Sequence, residues 1–450
     1  MNSLAASIAL ATALVLLVLA FGVTSTRAGV GELQVIWQQF LPGISAVSVV
    51  QTSDGGYLVL GENATLLTEY SPGRVYHTFQ NFNQILIKTD SHGNYSWSKT
   101  YQIAGYDRLV PGQLIRASDG TFVIVSVASG VNNEQQDKVF LMKIDSQGSI
   151  LWSKLLQGNN PDHLGMNGYT PTIAESKYNG FAIVTSYNYE MYRYGIWFIK
   201  VDSSGSLQRN VSLSTAEQDH VTSILQTTDG GYLLTGSRDG HSSYQGPSIA
   251  IKTDSNGTVL WEKTFGDQQD YSVGGFHSAV GTTDGGFLLA GYTALPQSVS
   301  HAALVKIDAD GNTVWNRTLS PGNSGINSIT PINGGGYAFA GVITSYVVWV
   351  GKIDASGNLE AQTQIRTADP YGNIKPNSII ETADGSCVFA GDWTTTSDLA
   401  VREMWLVKIS LSYSAPSPSV PEFPSWVVLL GVCAMSATLF LKKTTRRRGI

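Results

Sequence analysis

The stretch VTSILQTTDGGYLLTGS (residues 221–237), followed by AIKTDSNGTVLWEKTF (residues 250–265), contains the pattern that decides the fold. Short runs of apolar and β-branched residues are separated by the turns D-G-G and S-N-G. Glycine supplies the positive φ that tight hairpins need, and Asp or Asn hydrogen-bonds to its own backbone in a turn. The unit therefore predicts four antiparallel strands, and no helix.

The same two hallmarks recur along the chain. The turn-and-strand hallmark occurs seven times, beginning at residues 54, 119, 179, 229, 284, 334 and 384. A strand ending in K-x-D, then the turn S-x-G or its equivalent, follows it in six complete copies. The seventh copy, LVKIS (406–410), stops before its turn. A spacing of about 50–65 residues is typical of propeller blades.

The two ends of the repeat region complement each other. The last unit lacks its fourth strand, whereas QVIWQQFL (34–41) is a strand with no unit of its own. Its Trp37 matches the tryptophans of the complete units. The N-terminal strand is therefore expected to complete the last blade, and ring closure hides unpaired strand edges. We predict an all-β, seven-bladed β-propeller over residues 29–413, with a β-solenoid or tandem sandwiches as the alternatives.

The D-x-x-G-x-x-x-W hairpin, for example Asp254 to Trp261, resembles the repeats of quinoprotein-type propellers over roughly residues 34–410. The kelch repeat is a looser match. The resemblance implies the architecture alone, because neither a disulfide nor a metal-ligand set accompanies it. The chain has two cysteines, Cys387 on a predicted strand and Cys433 in the C-terminal apolar run. We therefore predict no disulfide and no cofactor.

The N-terminal segment has the features of an export signal. Residues 5–23 are apolar and uncharged, and small residues surround a cleavage point near Ala28. We interpret residues 1–28 as a secretory signal peptide. The segment lacks the usual basic residues at its start and is long enough to span a bilayer, so an uncleaved anchor is the alternative.

The C-terminal segment predicts a membrane anchor. A Pro/Ser linker (414–424) precedes an apolar run (425–441), which we interpret as a transmembrane helix, and a basic tail (442–450). Basic residues mark the cytoplasmic side. Pro421-Glu422-Phe423 before a helix and a basic tail resembles the PEF-CTERM sorting signal of archaeal surface proteins. The resemblance implies cleavage by an archaeosortase and transfer to a lipid anchor; a permanent single span is the alternative. Either way we expect the propeller at the cell surface.

The charge of the exported part argues against one class of partner. The chain has 28 basic residues, and 22 remain when Arg27 and the five basic residues of the tail are removed. Of its 34 acidic residues, 33 remain when Glu422 is removed. A net charge of about −11 disfavours nucleic acid as a partner. Five N-x-S/T sequons are glycosylation candidates on an exported surface: Asn63, Asn94, Asn210, Asn256 and Asn316.

In a four-stranded blade, the short D-G-G and S-x-G turns lie on one face, and the long, irregular connections lie on the other. Binding residues concentrate in such connections. One of them, SYNYEMYRYG (186–195), is rich in tyrosine. With Trp393 it could offer aromatic platforms for a glycan or a protein partner, whereas packing between blades is the alternative. The candidate residues are Tyr187, Tyr189, Tyr192, Arg193, Tyr194 and Trp393.

Five acidic residues precede innermost strands and could ring the channel mouth: Asp107, Asp162, Asp219, Asp270 and Asp369. Clustered oxygen ligands suit Ca²⁺, although such residues also cap turns or remain solvated. The repeated turn aspartates from Asp90 to Asp354 are assigned to turn chemistry, because D-S-x-G supplies too few ligands for Ca²⁺.

No nucleophile, zinc or phosphate-binding motif occurs in the sequence. We therefore favour a non-catalytic surface propeller that serves as a binding or scaffold module for a glycan, an envelope component or a protein. The alternative is an extracellular propeller enzyme, a polysaccharide hydrolase or lyase, with its site on the long-loop face. An enzyme should bring at least two acid/base groups together in one cleft.

Overall fold

The computed structural model describes residues 30–71, 74–130, 137–157, 170–177, 180–190, 193–213, 219–238, 247–266, 275–294, 300–344, 346–366, 372–394 and 402–413. Within these ranges the regular elements are all strands, in seven antiparallel sheets. The prediction of an all-β, seven-bladed propeller is thus confirmed. No helix of the described residues could cross a membrane. The predicted signal peptide, linker, transmembrane helix and tail lie outside them.

Two strands precede the first complete blade, β1 (Gly31–Glu32) and β2 (Gln34–Leu41). Blade one contains β3 (Ser45–Gln51), β4 (Tyr57–Ser71), β5 (Arg74–Thr89) and β6 (Tyr95–Tyr101). Blade two contains β7 (Arg108–Arg116), β8 (Phe122–Ser129), β9 (Lys138–Ile144) and β10 (Ile150–Leu156). Blade three contains β11 (Thr172–Glu175), β12 (Phe181–Glu190), β13 (Arg193–Val201) and β14 (Leu207–Leu213).

Blade four contains β15 (Asp219–Gln226), β16 (Tyr232–Arg238), β17 (Ser248–Thr253) and β18 (Val259–Phe265). Blade five contains β19 (Gly275–Gly281), β20 (Phe287–Ala294), β21 (Ser300–Ile307) and β22 (Thr313–Gly322). Blade six contains β23 (Ser324–Pro331), β24 (Tyr337–Ile343), β25 (Val347–Ile353) and β26 (Leu359–Arg366). Blade seven contains β27 (Asn373–Glu381), β28 (Cys387–Thr394) and β29 (Arg402–Ser410).

The N-terminal strand closes the ring, as predicted. Strand β2 is the fourth strand of blade seven and pairs antiparallel with β29, so that Trp37 lies opposite Lys408 and Leu41 opposite Met404. The innermost strands of neighbouring blades contact each other around the whole circle, including β27 with β3. Every inner strand therefore has a neighbour on each side.

The turn between the third and fourth strands has the same construction in six blades. At Asp145 the carboxylate accepts the amides of Gln147 and Ser149, each at 2.8 Å. Gly148 adopts φ +69°. These hydrogen bonds, the one from the Ser149 amide above all, hold the pKa of Asp145 below its usual value. The repeated aspartates therefore stabilise the turns, as predicted.

The fourth-strand tryptophans join successive blades. A Cβ added to Gly148 would lie 2.8 Å from the ring of Trp97, because the indole of blade one rests on this turn of blade two. Trp37 makes the same contact with Gly93 of blade one, at 2.6 Å. Strand β2 therefore both completes blade seven and packs against blade one.

The lysine of the K-x-D motif has a partner that the motif alone does not reveal. In five blades this lysine is buried and paired with the aspartate of the D-G turn: Lys88–Asp54, Lys143–Asp119, Lys252–Asp229, Lys306–Asp284 and Lys408–Asp384. Blade six has glycine at the turn position, and its Lys352 pairs with Glu360 at 3.2 Å instead. The pair ties the third strand to the turn between the first two strands.

Most of one predicted loop is strand. Of residues 186–195, interpreted as an irregular connection, 186–190 belong to β12 and 193–195 to β13, with Tyr187 opposite Gly195. The alternating tyrosines favour a strand, since aromatic residues fit a pleated surface. Strands β4 and β5 likewise extend far beyond blade one, as far as the pair Ser71 and Arg74.

Candidate functional site

The central channel contains a cavity of about 450 Å³, lined by inner-strand residues of all seven blades and by Asp392 of β28. The lining residues lie near the middle of the inner strands, since Gln113 and Ser378 are each the sixth of nine residues in their strands. The volume is typical of sites for small molecules.

A repeated bulge shapes the wall of the cavity. In six inner strands the pairing register shifts after the second, third or fourth residue of the strand, and one residue is left unpaired. A bulge re-aims side chains, and all six unpaired residues line the cavity: Val47, Gly112, Thr222, His277, Asn327 and Asn377. The next residue is serine in five blades: Ser48, Ser223, Ser278, Ser328 and Ser378.

The serines also connect neighbouring blades. The Ser328 hydroxyl accepts the amide of Ile379 at 3.2 Å, and the Ser48 hydroxyl donates to the carbonyl of Leu114 at 3.1 Å. In blade two Gln113 takes this role, since its side-chain oxygen accepts the amide of Ile173 at 2.8 Å. Their contacts hold the rim of the cavity in place from blade to blade.

The carboxylate of Asp392 is fixed in the wall. Its Oδ1 accepts hydrogen bonds from the Ser45 hydroxyl at 2.9 Å, the Ala46 amide at 3.0 Å and the Asn377 amide group at 3.1 Å. Burial raises the pKa of Asp392, and the three hydrogen bonds and the charge of Lys375 oppose that rise. Because all three donors contact Oδ1, no described residue holds Oδ2 by a hydrogen bond.

His277 is neutral at physiological pH. Burial, reinforced by the charge of Lys375, lowers the pKa of His277 to about 4. Its Nδ1 lies 3.1 Å from the carbonyl oxygen of Ile326. A carbonyl only accepts, so Nδ1 carries the proton and Nε2 is left as an acceptor.

Lys375 is the cation of this wall. It lies directly opposite Asp392 in the ladder between β27 and β28, and its side chain is exposed. Among the described residues its ammonium group has neither an ion-pair partner nor a hydrogen-bond acceptor. Its charge nevertheless reaches both His277 and Asp392.

The predicted acidic ring is described in part. Asp107 is exposed. Asp219 is buried, and Arg238 occupies both of its oxygens, at 2.7 and 3.0 Å. Asp162, Asp270 and Asp369 lie outside the described residues. The described part of the chain contains no group of three His, Cys, Asp or Glu residues suited to a metal ion, and the Ca²⁺ site stays a prediction.

The predicted aromatic residues lie in two different blades. Tyr187 is buried between blades two and three and shares a hydrogen bond with Ser212. Trp393 packs against Phe40 and Trp405, at ring distances of 5.3 and 5.1 Å. Only the backbone is described for Tyr189, Arg193 and Tyr194, and Tyr192 lies outside the described residues. The aromatic platform also stays a prediction.

The sequons differ in their surroundings. Asn256 and Asn316 are exposed on the outer edge. The Asn94 side chain donates to Asp90 at 2.9 Å, and that of Asn210 to the carbonyl of Gln157 at 3.1 Å. Asn63 is half-buried. Glycan occupancy remains a prediction for all five.

Comparison with known proteins shows the fold alone. No family model matches the chain, and no curated protein matches it. A protein of unknown function from Dyadobacter fermentans superposes with a TM-score of 0.51 at 10% identity, over 84% of this chain and 99% of that chain. Puromycin hydrolase is also similar, with a TM-score of 0.48 at 13% identity over 87% of this chain and 58% of that chain. Drosophila Plexin A in complex with Semaphorin 1b has a TM-score of 0.47 at 7% identity, over 85% of this chain and 88% of that chain.

Proposed function

We propose that this chain is an extracellular binding propeller whose channel cavity holds a small polar ligand. The observation that supports this proposal is the lining itself. Seven inner strands direct hydroxyl and amide groups into one cavity of about 450 Å³, beside Lys375, His277 and Asp392. A concave site with a few converging polar groups is the usual form of a ligand site. Fold alone does not select a function, because propellers support many.

The ends of the chain support a location at the cell surface. An apolar N-terminal segment, a Pro/Ser linker and an apolar run before five bases are consistent with export and anchoring, by a single span or by a sortase-attached lipid. Protease treatment of intact cells should remove the propeller. A tag placed after residue 450 should stay joined to the propeller for a permanent span, and be found on a short fragment separated from the propeller for sortase processing.

Thermal unfolding of the full chain in detergent tests the binding proposal. The panel contains small sugars, sugar acids, amino acids, envelope polysaccharides, CaCl₂ and a chelator. A ligand of the native state raises Tm by mass action. Ser223→Trp fills the cavity and should abolish any shift, whereas Ser153→Trp, on the exposed outer strand β10, should preserve it. A panel in which no compound raises Tm would contradict the proposal.

An enzyme is the second candidate, and one observation favours it. His277 and Asp392 line the same cavity, and the pKa of each is displaced, that of His277 downward by burial and that of Asp392 upward by burial. A neutral imidazole near a carboxyl group can support acid/base chemistry. New reducing ends released from polysaccharides, and lost in both His277→Gln and Asp392→Asn, would establish hydrolase or lyase activity. Saturable binding with no such product supports the binding module.

A further inference from the structure

The polar wall of the cavity has a distinct donor and acceptor pattern. Lys375 provides one cationic donor, while Asp392 Oδ2, His277 Nε2 and the side-chain oxygen of Asn377 are acceptors. Asn377 is committed as a donor, since its amide group bonds to both Ala46 and Asp392. A matching ligand carries one anionic group and several hydroxyl donors.

Lys375 is available to such a ligand because it forms no ion pair with a carboxylate of the described residues. Three hydrogen bonds hold Asp392 Oδ1 toward Ser45, Ala46 and Asn377. Lys375 and Asp392 therefore form no ion pair, although they are directly opposite in the ladder. An ammonium group of this kind forms strong charge-assisted hydrogen bonds with a carboxylate.

The apolar lining residues belong to blades one to three, where Val47, Pro111, Gly112 and Pro171 lie among polar residues such as Gln113. Gly112 permits a close approach to Pro171, because a Cβ there would lie 2.3 Å from the carbonyl oxygen of Pro171. These apolar residues can contact the C–H face of a sugar ring while its hydroxyls bind the polar groups of the lining.

We infer that the cavity takes an acidic sugar, a hydroxylated carboxylic acid whose carboxylate binds Lys375 and whose hydroxyls donate to Asp392, Asn377 and His277. This inference rests on the proposed function and names its ligand class. A zwitterionic amino acid is the competing ligand class, because its carboxylate can also bind Lys375 and its ammonium group can donate to Asp392; the serine probe separates the two classes.

Isothermal titration calorimetry of the full chain in detergent tests the inference with four probes: glucuronate, its uncharged methyl ester, glucose and serine. Glucuronate should bind at least about tenfold more tightly than the ester or glucose, the loss expected for one charge-assisted hydrogen bond. Lys375→Met should remove this preference, so that glucuronate binds no more tightly than its ester. Lys375→Arg should retain most of it. The matched control Lys154→Met, on the exposed outer strand β10, should behave as the unmodified chain.

Each contrary outcome has a defined meaning. Equal affinity for glucuronate and its ester, or a preference that survives Lys375→Met, overturns the acidic-sugar inference and leaves the proposed binding function standing. Tighter binding of serine than of glucuronate also overturns the acidic-sugar inference and leaves the proposed binding function standing. If no probe binds while another compound of the wider panel raises Tm, the ligand class is wrong and the cavity is still a binding site. If neither assay detects a ligand, both proposals fail.

Discussion

The pair between Lys252 and Asp229 provides a sharp test of how the blades are stabilised. The Lys252 side chain is 4% exposed and its ammonium lies 2.8 Å from Asp229, whose side chain is 59% exposed. Burial acts to raise the pKa of Asp229, but hydrogen bonds from Lys252, Thr227 and the Gly231 amide outweigh it and hold the pKa at about 2. Asp229→Asn removes the charge and retains an oxygen for the Gly231 amide.

The expected loss of unfolding free energy depends on the hydrogen bonds that the Lys252 ammonium group retains. Removing one partner of a fully buried pair costs about 3–5 kcal/mol. Here the ammonium retains the Thr253 carbonyl at 3.1 Å, and water can reach the site through the exposed side of Asp229. We therefore expect Asp229→Asn to lower the free energy of unfolding by about 2 kcal/mol. The double variant Asp229→Asn/Lys252→Met should lie within about 1 kcal/mol of the unmodified chain, because no buried charge is left without a partner.

Urea unfolding followed by tryptophan fluorescence measures both variants, with Lys352→Met as the matched control. Lys352 belongs to the blade without the turn aspartate, and its side chain is 21% exposed, against 4% for Lys252. Lys352→Met should therefore lower the free energy of unfolding by less than about 1 kcal/mol. If Asp229→Asn is neutral, or if the double variant loses the sum of the two single effects, the lysine is not stabilised by the aspartate and the reasoning is refuted.

Three further predictions concern packing, protonation and accessibility. In thermal melts Gly205→Ala should lower the stability of the protein by about 1–3 kcal/mol more than Gly120→Ala does. Both glycines have a positive φ, but only a Cβ on Gly205 meets Trp152, at 2.7 Å. Equal losses of stability would contradict the blade-to-blade contact. His277 is protonated near pH 6.5 in the unfolded chain and near pH 4 in the native chain. The contribution of the neutral His277 to stability is therefore present above pH 6.5 and lost as the pH falls toward 4, at up to about 1.4 kcal/mol per pH unit. His277→Gln should flatten this part of the pH profile of stability, and an unchanged profile would refute the prediction. Burial raises the pKa of the Cys387 thiol, so in a Cys433→Ser background a thiol reagent should react only on unfolding; rapid labelling of the native chain would be inconsistent with the core packing.

The sequence predicted the ring because the evidence for it is local and repeated. The turn glycines, the seven turn-and-strand hallmarks and the unpaired strand around Trp37 can each be recognised locally, and the structure places Trp37 opposite Lys408 as closure requires. The tyrosines of residues 186–195 fit both a binding loop and a strand, because aromatic residues suit a pleated surface as well as a ligand, and the pairing of β12 with β13 decides between the two.

The cavity was not predicted, because its residues are far apart in the chain. Lys375, His277 and Asp392 come from two blades and share no sequence motif. The sequence contains one sign of the cavity: in five blades the inner strand has a serine at the same position. This serine is the residue that follows the bulge. The bulge itself depends on pairing with the second strand, and a single sequence does not display that register.

Closure by β2 also sets the order in which the molecule can be completed. Synthesis produces residues 34–41 long before their partners at 402–410, so blade seven cannot be completed until residue 410 has been made. Until then β2 has an unpaired edge. Contacts between such distant segments form slowly, because a very long loop must close before the contacts form. A chain that crosses a membrane N-terminus first would therefore finish folding on the far side, and a truncation that removes β29 would leave β2 without a partner.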